Sequence, residues 1–186
     1  VPPELLDRIS GKKGRGGGIF TGLRWRLAVA ASVALIAIAG YVLMMDKGGS
    51  PLIGQMVSDH IQFIPSPDVQ ISSSDPAEIK AWFRGKVDFA VNVPRLTATL
   101  RGGRLCYLDG KRLALVFYRQ DDVQISLFVT DSRDVYKART GRGVTVKGKT
   151  MRRVADRGYN MLLWREDGLT YALVSEMKFE EMEKLL

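Results

Sequence analysis

An uncharged apolar run near the amino terminus constrains the chain more than any other feature. Residues Leu27 to Met45 read LAVAASVALIAIAGYVLMM and contain no charged side chain. At about 1.5 Å per residue, a helix of this length reaches roughly 28 Å, close to the ~30 Å hydrocarbon core of a bilayer. A helix also satisfies its own backbone hydrogen bonds in lipid. Trp25 and Tyr41 stand near its ends, as interfacial aromatics do. The run predicts a transmembrane helix.

Basic residues are concentrated ahead of this run and are scarce behind it. Six precede it: Arg8, Lys12, Lys13, Arg15, Arg24 and Arg26. In the fifteen residues after Met45 only Lys47 is basic. Basic flanks remain on the cytoplasmic side of a membrane segment. We therefore expect the amino terminus inside, the long remainder of the chain outside, and the lipid bilayer as a partner.

Two other interpretations of residues 27–45 stay open. The small residues at Ala37-Ile38-Ala39 suit cleavage of a signal peptide, although signal h-regions usually span about 7–15 residues. A buried core helix is the other, but the run shows no polar face. A membrane anchor accounts best for the length. The predicted organisation is a basic, glycine-rich cytoplasmic linker (1–26), a transmembrane helix (27–45), a short linker (46–51) and an extracytoplasmic domain (52–186).

Two helices are predicted at the start of that domain. Leu52–Ile64 carries apolar residues at helical spacing and ends before Pro65. The sequence Ser-Asp-Pro then favours a second helix start, with Asp75 as the N-cap and Pro76 in the first turn. Glu78 stands where a capping-box carboxylate belongs. The domain is therefore expected to begin with two amphipathic helices.

The rest of the domain alternates between apolar runs and short turns. Asp109-Gly110 and Asp167-Gly168 separate such runs, which is a strong hairpin signal. Asp121-Asp122 marks a further turn, and Gly102-Gly103 is also interpreted as a turn. The predicted strands are Val69–Ser72, Leu105–Leu108, Leu113–Arg119, Val123–Val129, Met161–Arg165 and Leu169–Val174, and the closing helix is Lys178–Leu186. We expect an α+β domain, an antiparallel meander sheet with helices packed on one face.

The inventory of reactive side chains is small. The chain contains one histidine, His60, and one cysteine, Cys106; this argues against an intramolecular disulfide, a thiolate zinc cage or a histidine-rich metal centre. His60 is expected to pack beside the first helix's apolar face or to sense pH. Cys106 is expected to be buried and inert or, if exposed, oxidisable. No spacing joins a serine or carboxylate to His60 in a catalytic motif, so we expect no enzyme activity, cofactor or metal.

The stretch Arg133–Arg157 is strongly basic, with nine basic residues against two acidic ones. In a cytoplasmic protein this would suggest nucleic acid, but the predicted topology places it outside, where no nucleic acid is expected. We interpret it as a solvated, partly mobile hairpin, with contact to anionic lipid headgroups or an acidic partner as the alternative. The residues of such a contact are Arg139, Arg142, Lys147, Lys149, Arg152 and Arg153.

Several short motifs follow one another between residues 52 and 180. They include Ser74-Asp75-Pro76, Ile79-Lys80-Ala81-Trp82-Phe83, Gly85-Lys86, Gly102-Gly103-Arg104-Leu105, Tyr107-Leu108-Asp109-Gly110, Gly158-Tyr159-Asn160 and Gly168-Leu169-Thr170-Tyr171. In this order they resemble the extracytoplasmic domain of transmembrane anti-sigma factors, a family of transmembrane transcriptional regulators. The resemblance implies a bacterial inner-membrane protein whose periplasmic domain senses envelope conditions and whose cytoplasmic module holds a sigma factor.

The chain departs from the family pattern at its amino terminus. The resemblance implies a cytoplasmic zinc-binding module with a histidine and a CxxC pair, and residues 1–26 contain neither. The first residue is Val1, which we interpret as a truncated or processed chain or an unusual start. The alternative to sigma binding is a membrane-tethered periplasmic interaction or assembly module with an unknown envelope partner.

Overall fold

The computed structural model describes Ser32, Ile36–Ile38, residues 51–137 and residues 141–186. The chain divides into two compact units, Val1–Gly48 and Gly49–Leu186. Most of the predicted membrane helix lies outside the described residues; within it, Ser32 and Ile36–Ile38 are helical and exposed. No helix in the described part of the chain has the length and apolar character needed to cross a bilayer. All the strands belong to the second unit.

Seven strands form one antiparallel sheet, which confirms the predicted α+β class. The strands are β1 (Thr99–Leu108), β2 (Lys111–Gln120), β3 (Val123–Thr130), β4 (Arg142–Val146), β5 (Lys149–Asp156), β6 (Tyr159–Glu166) and β7 (Leu169–Ser175). Their spatial order is β1-β2-β3-β7-β6-β5-β4. The sheet therefore consists of two meanders, β1–β3 and β4–β7, which join where β3 pairs with β7.

Four of the hairpins turn through two residues, of which the second is glycine. Both turn residues have positive φ in each hairpin, for example Asp109 (φ 49°) and Gly110 (φ 73°). This is the backbone of a type I′ turn, whose twist matches that of the flanking strands. The other three turns are Lys147-Gly148, Arg157-Gly158 and Asp167-Gly168. The two aspartate–glycine turns were predicted from the sequence. The turns that begin with Lys147 and Arg157 were not.

Between residues 51 and 186, in the part that the structure describes, four helices accompany the sheet: α1 (Pro51–Phe63), α2 (Pro76–Trp82), α3 (Asp134–Lys137) and α4 (Phe179–Leu185). Asp75 caps α2 as predicted, because its carboxylate accepts from the Ala77 amide at 2.9 Å. The predicted capping box is not formed. The Glu78 carboxylate accepts instead from the Ser73 hydroxyl at 2.6 Å, and that hydroxyl accepts from the Asp75 amide.

The helices cover both faces of the sheet, so the prediction that they pack on one face is wrong. α1 contributes Ile53, Met56, Val57 and Phe63 to a core on one face. α2 and α4 pack in a second core on the opposite face. The reason is seen in β2, where the six consecutive residues 113–118 are all buried and point alternately into the two cores. A strand that is apolar at every position requires cover on both sides.

The glycine pair at 102–103 lies inside β1 and does not form the predicted turn. A bulge occurs between Leu100 and Gly102 in the pairing with β2. The segment predicted as a strand at Val69–Ser72 approaches here, but only Ile71 forms a bridge, to Gly103. Gly102 (φ 150°) has no room for a side chain, because a Cβ there would lie 2.3 Å from the Ile71 carbonyl oxygen. The glycines therefore allow a close backbone approach at the sheet edge.

Candidate functional site

His60, the one histidine of the chain, connects α1 to strand β3. His60 is 1% exposed, and its Nδ1 lies 2.8 Å from the Oγ of Ser126 on β3, which is fully buried. The Tyr159 ring meets the imidazole edge-on, with centroids 5.1 Å apart. Burial lowers the pKa of His60 to about 4. The imidazole is therefore neutral at neutral pH and serves as a buried polar contact between helix and strand.

The Ser126 hydroxyl beside His60 is not accessible to a substrate, as a catalytic nucleophile must be. Ser126 is 0% exposed, so a substrate carbonyl has no path to its Oγ. A cleft of about 370 Å³ opens beside His60 and includes Phe117, Gln124 and Glu176 among its walls, but not Ser126. The residues expected from sequence to be unconnected are thus brought together, and their burial points to packing.

The lone cysteine also meets α1. The Cys106 thiol on β1 donates to the Oδ2 of Asp59 at 3.3 Å. Burial, together with the nearby Asp59 charge, raises the pKa of Cys106 to about 12. Burial likewise raises the pKa of Asp59, against the effects of Cys106 and Arg104. Cys106 is therefore half-buried, not fully buried as expected, and its raised pKa disfavours the thiolate.

Two further side chains tie α1 to distant parts of the sheet. Arg157, in the β5–β6 turn, donates to the Ser58 hydroxyl at 2.9 Å and to the Gly54 carbonyl. Gln55 donates from its amide to the Tyr107 carbonyl on β1 at 3.1 Å. α1 is thus held from β1, β3 and the β5–β6 turn as well as by its apolar residues. Its docking depends on strands from both meanders.

Strand alternation divides the basic residues predicted to contact an anionic surface. Arg153 lies on the α4 face of β5, where it donates to Glu183 (2.6 Å) and Glu180 (3.0 Å). Arg152 lies on the α1 face, with its guanidinium carbon 5.4 Å from the Tyr136 ring centroid. Arg142, on the edge strand β4, is exposed, and Arg139 lies outside the described residues. Arg152 and Arg153 therefore lie on opposite faces of the sheet.

Lys147 and Lys149 are the two predicted contact residues that the structure places in one cleft. The cleft has a volume of about 280 Å³ and lies beside the β4–β5 turn. Arg95, from the segment before β1, lines the same cleft with Trp164 on β6. Sequence reasoning missed Arg95 because it lies more than fifty positions before Lys147 and outside the basic stretch. In the sequence Arg95 is marked only by the preceding Pro94. In the structure it lies in a segment without helix or strand.

Among the described residues, no group of three or more His, Cys, Asp or Glu side chains is arranged to hold a metal ion. The chain matches no protein-family model, no curated protein and no solved structure.

Proposed function

We propose that this protein is a single-pass inner-membrane regulator of the anti-sigma type, with the Gly49–Leu186 unit in the periplasm. The uncharged run at residues 27–45 carries the proposal, because six basic residues precede it and the folded unit begins four residues after Met45. A basic flank on one side and a compact domain on the other are typical of an anchored protein with a cytoplasmic amino terminus. In this proposal the outer domain senses envelope conditions.

Signal transfer is proposed to pass through α1, the first element of the outer unit. α1 starts at Pro51, close to the end of the apolar run, and docks on the sheet through His60, Asp59 and Gln55. A partner that changes the docking of α1 acts directly on the segment leading to the membrane. The coupling free energy equals the difference between the partner's binding free energies for the states with α1 docked and with α1 released.

A second candidate function is a membrane-tethered periplasmic interaction or assembly module with no sigma-binding role. It rests on the folded unit, which holds two buried cores of its own. Both candidates share the anchor and the outer domain. They differ in whether the cytoplasmic side holds a sigma factor.

Two experiments test the proposal in sequence. Fusions of alkaline phosphatase and of a fluorescent protein after Gly49 and after Leu186 report the side of the membrane; periplasmic phosphatase activity at both positions is expected. The full reading frame is then used to capture sigma factors from the same cell, with and without residues 49–186. Capture in either form supports the anti-sigma function. Membrane insertion without capture favours the tethered module, and a cytoplasmic carboxyl end contradicts both.

A further inference from the structure

We propose that the cleft beside the β4–β5 turn is a binding site for a phosphate group, received by Arg95 and Lys147. The ligand is either a free phosphate compound or the headgroup of an anionic lipid, two sources of the same chemistry. This inference does not depend on sigma binding, because the site lies wholly within the folded unit.

The charges in the cleft leave two cations available to a ligand. Lys149 is engaged by Glu166, whose two carboxylate oxygens accept from its Nζ at 2.6 and 2.8 Å. Arg95 and Lys147 are both exposed, and neither has an ion-pair partner among the described residues. Glu166 is the only acidic side chain that lines the cleft within the described part of the chain. An anion there would therefore meet two positive charges that have no ion-pair partner among the described side chains.

Both cations stand on backbone that is fixed from elsewhere in the fold. Lys147 occupies the first position of a type I′ turn, with φ 48°, followed by Gly148 at φ 80°. Arg95 follows Pro94, whose carbonyl accepts from the Tyr118 hydroxyl at 2.7 Å. Two residues later the Thr97 amide donates to the Leu185 carbonyl at 3.0 Å. The two sides of the cleft are thus held in place before any ligand binds, which lowers the ordering cost of binding.

The residue types suit an anionic oxygen group, and a phosphate, with up to three acceptor oxygens, can meet both cations at once. A guanidinium offers paired donors that match phosphate oxygens, and lysine adds a point charge. Asn92 lines the same cleft, and the Trp164 ring supplies an apolar wall. A volume of about 280 Å³ accommodates a phosphate with a short organic group such as glycerol. The proposal is therefore a phosphate or glycerol-phosphate site.

Amine footprinting of the full chain in lipid nanodiscs tests this directly. Lys147 is acetylated with an N-hydroxysuccinimide ester and its labelling rate is followed by mass spectrometry, with the exposed Lys111 as an internal control. The chain carries no carboxy-terminal tag, because Leu186 also lines the cleft. The arms are zwitterionic lipid alone, the same with inorganic phosphate, with glycerol phosphate, with sodium acetate at equal ionic strength, and with added phosphatidylglycerol.

We expect phosphate compounds or phosphatidylglycerol to slow the labelling of Lys147 about fivefold, the factor equivalent to about 1 kcal/mol per basic residue at an anionic surface. Lys111 should label equally in all arms. Protection by the soluble compounds indicates a free ligand, and protection by the lipid alone indicates a headgroup. Arg95→Gln should abolish protection of Lys147, whereas Lys111→Gln should leave it intact. Unchanged labelling in every phosphate arm, or equal protection by acetate, would overturn the proposal.

Discussion

The buried imidazole of His60 makes the stability of the Gly49–Leu186 unit depend on pH. Its Nδ1 lies within hydrogen-bond distance of the Ser126 hydroxyl, and burial lowers its pKa from 6.5 to about 4. The unfolded chain binds a proton on this side chain below pH 6.5, and the folded chain does so only near pH 4. The contribution of His60 is therefore fully present above pH 6.5 and is lost as the pH falls through about 4.

We predict that the free energy of unfolding falls by roughly 3 kcal/mol between pH 6.5 and pH 4 because of this side chain. His60→Gln should lack that part of the pH dependence. Urea unfolding of the chain in detergent, followed by tryptophan fluorescence, measures both. Burial raises the pKa of Asp59, so protonation of Asp59 works in the opposite direction. Asp59→Asn should therefore steepen the loss; an unchanged pH profile in His60→Gln would contradict the assignment.

A single glycine decides whether the segment before α2 can meet the sheet. Gly102→Ala places a Cβ 2.3 Å from the Ile71 carbonyl oxygen at a φ of 150°. We predict a loss of at least 1–3 kcal/mol in the free energy of unfolding from backbone strain alone. Gly110→Ala is the matched control, since φ there is also positive but no atom lies within 4 Å of the added Cβ. Equal losses in the two variants would show that the close approach contributes nothing.

At the scale of elements, α1 is the helix whose attachment can be locked covalently. Asp59→Cys places a second thiol opposite the natural Cys106, whose Sγ lies 3.3 Å from the present carboxylate. We predict one intramolecular disulfide on oxidation and a gain of about 2–4 kcal/mol in the free energy of unfolding. Non-reducing mass spectrometry and urea unfolding detect the two effects. Asp88→Cys, on an exposed loop, is the control that should remain reduced.

The closing helix α4 is fastened by one arginine. Arg153 on β5 donates to Glu183 and Glu180, and both carboxylates lie on α4. We predict that Arg153→Gln speeds hydrogen exchange of the α4 amides, while the rest of the sheet keeps its protection. Arg142→Gln is the matched control, because Arg142 is the register partner of Arg153 on β4 and carries the same charge. Faster exchange throughout the sheet in Arg153→Gln would contradict a local role.

At the scale of the whole molecule, the second unit contains its own two cores. Thirty-six hydrophobic residues are buried among the described residues, all of them between Ile53 and Leu185. We predict that a chain of residues 49–186 folds in water without detergent and unfolds in one cooperative transition. Circular dichroism and urea unfolding check this. A chain that binds hydrophobic dyes and unfolds gradually would show that residues 1–48 are required for the fold.

Much of the fold is predictable because its signals are local. Asp109-Gly110 selects a two-residue hairpin through the φ values of two adjacent residues, and the Asp75 cap of α2 needs only the amide of Ala77. The β4–β5 region was expected as a solvated, partly mobile hairpin without defined strands, because its turn begins with Lys147 and its charge masks the buried Met151 and Val154. The missed signal was a residue–glycine pair flanked by β-branched residues.

The candidate sites were less predictable, because each joins distant parts of the chain. His60 finds Ser126 sixty-six positions away, and Arg157 reaches Gly54 across 103 positions. No local sequence pattern marks either pair, because the two partners come into contact only when β3 and the β5–β6 turn pack beside α1. Lys147 and Lys149 were identified from charge alone, whereas Arg95 joins them only through the path of the chain before β1.

The sequence by itself determined the uncharged run at residues 27–45, the start of α1, the cap of α2 and the aspartate–glycine hairpins. These features depend on side-chain solvation or on contacts between residues a few positions apart. The tertiary structure decided the β3–β7 pairing, the covering of both sheet faces and the partners of each basic residue. These features depend on which surfaces, distant in sequence, bury apolar area against each other. The apolar pattern of the strands does not specify the spatial order in which they pair.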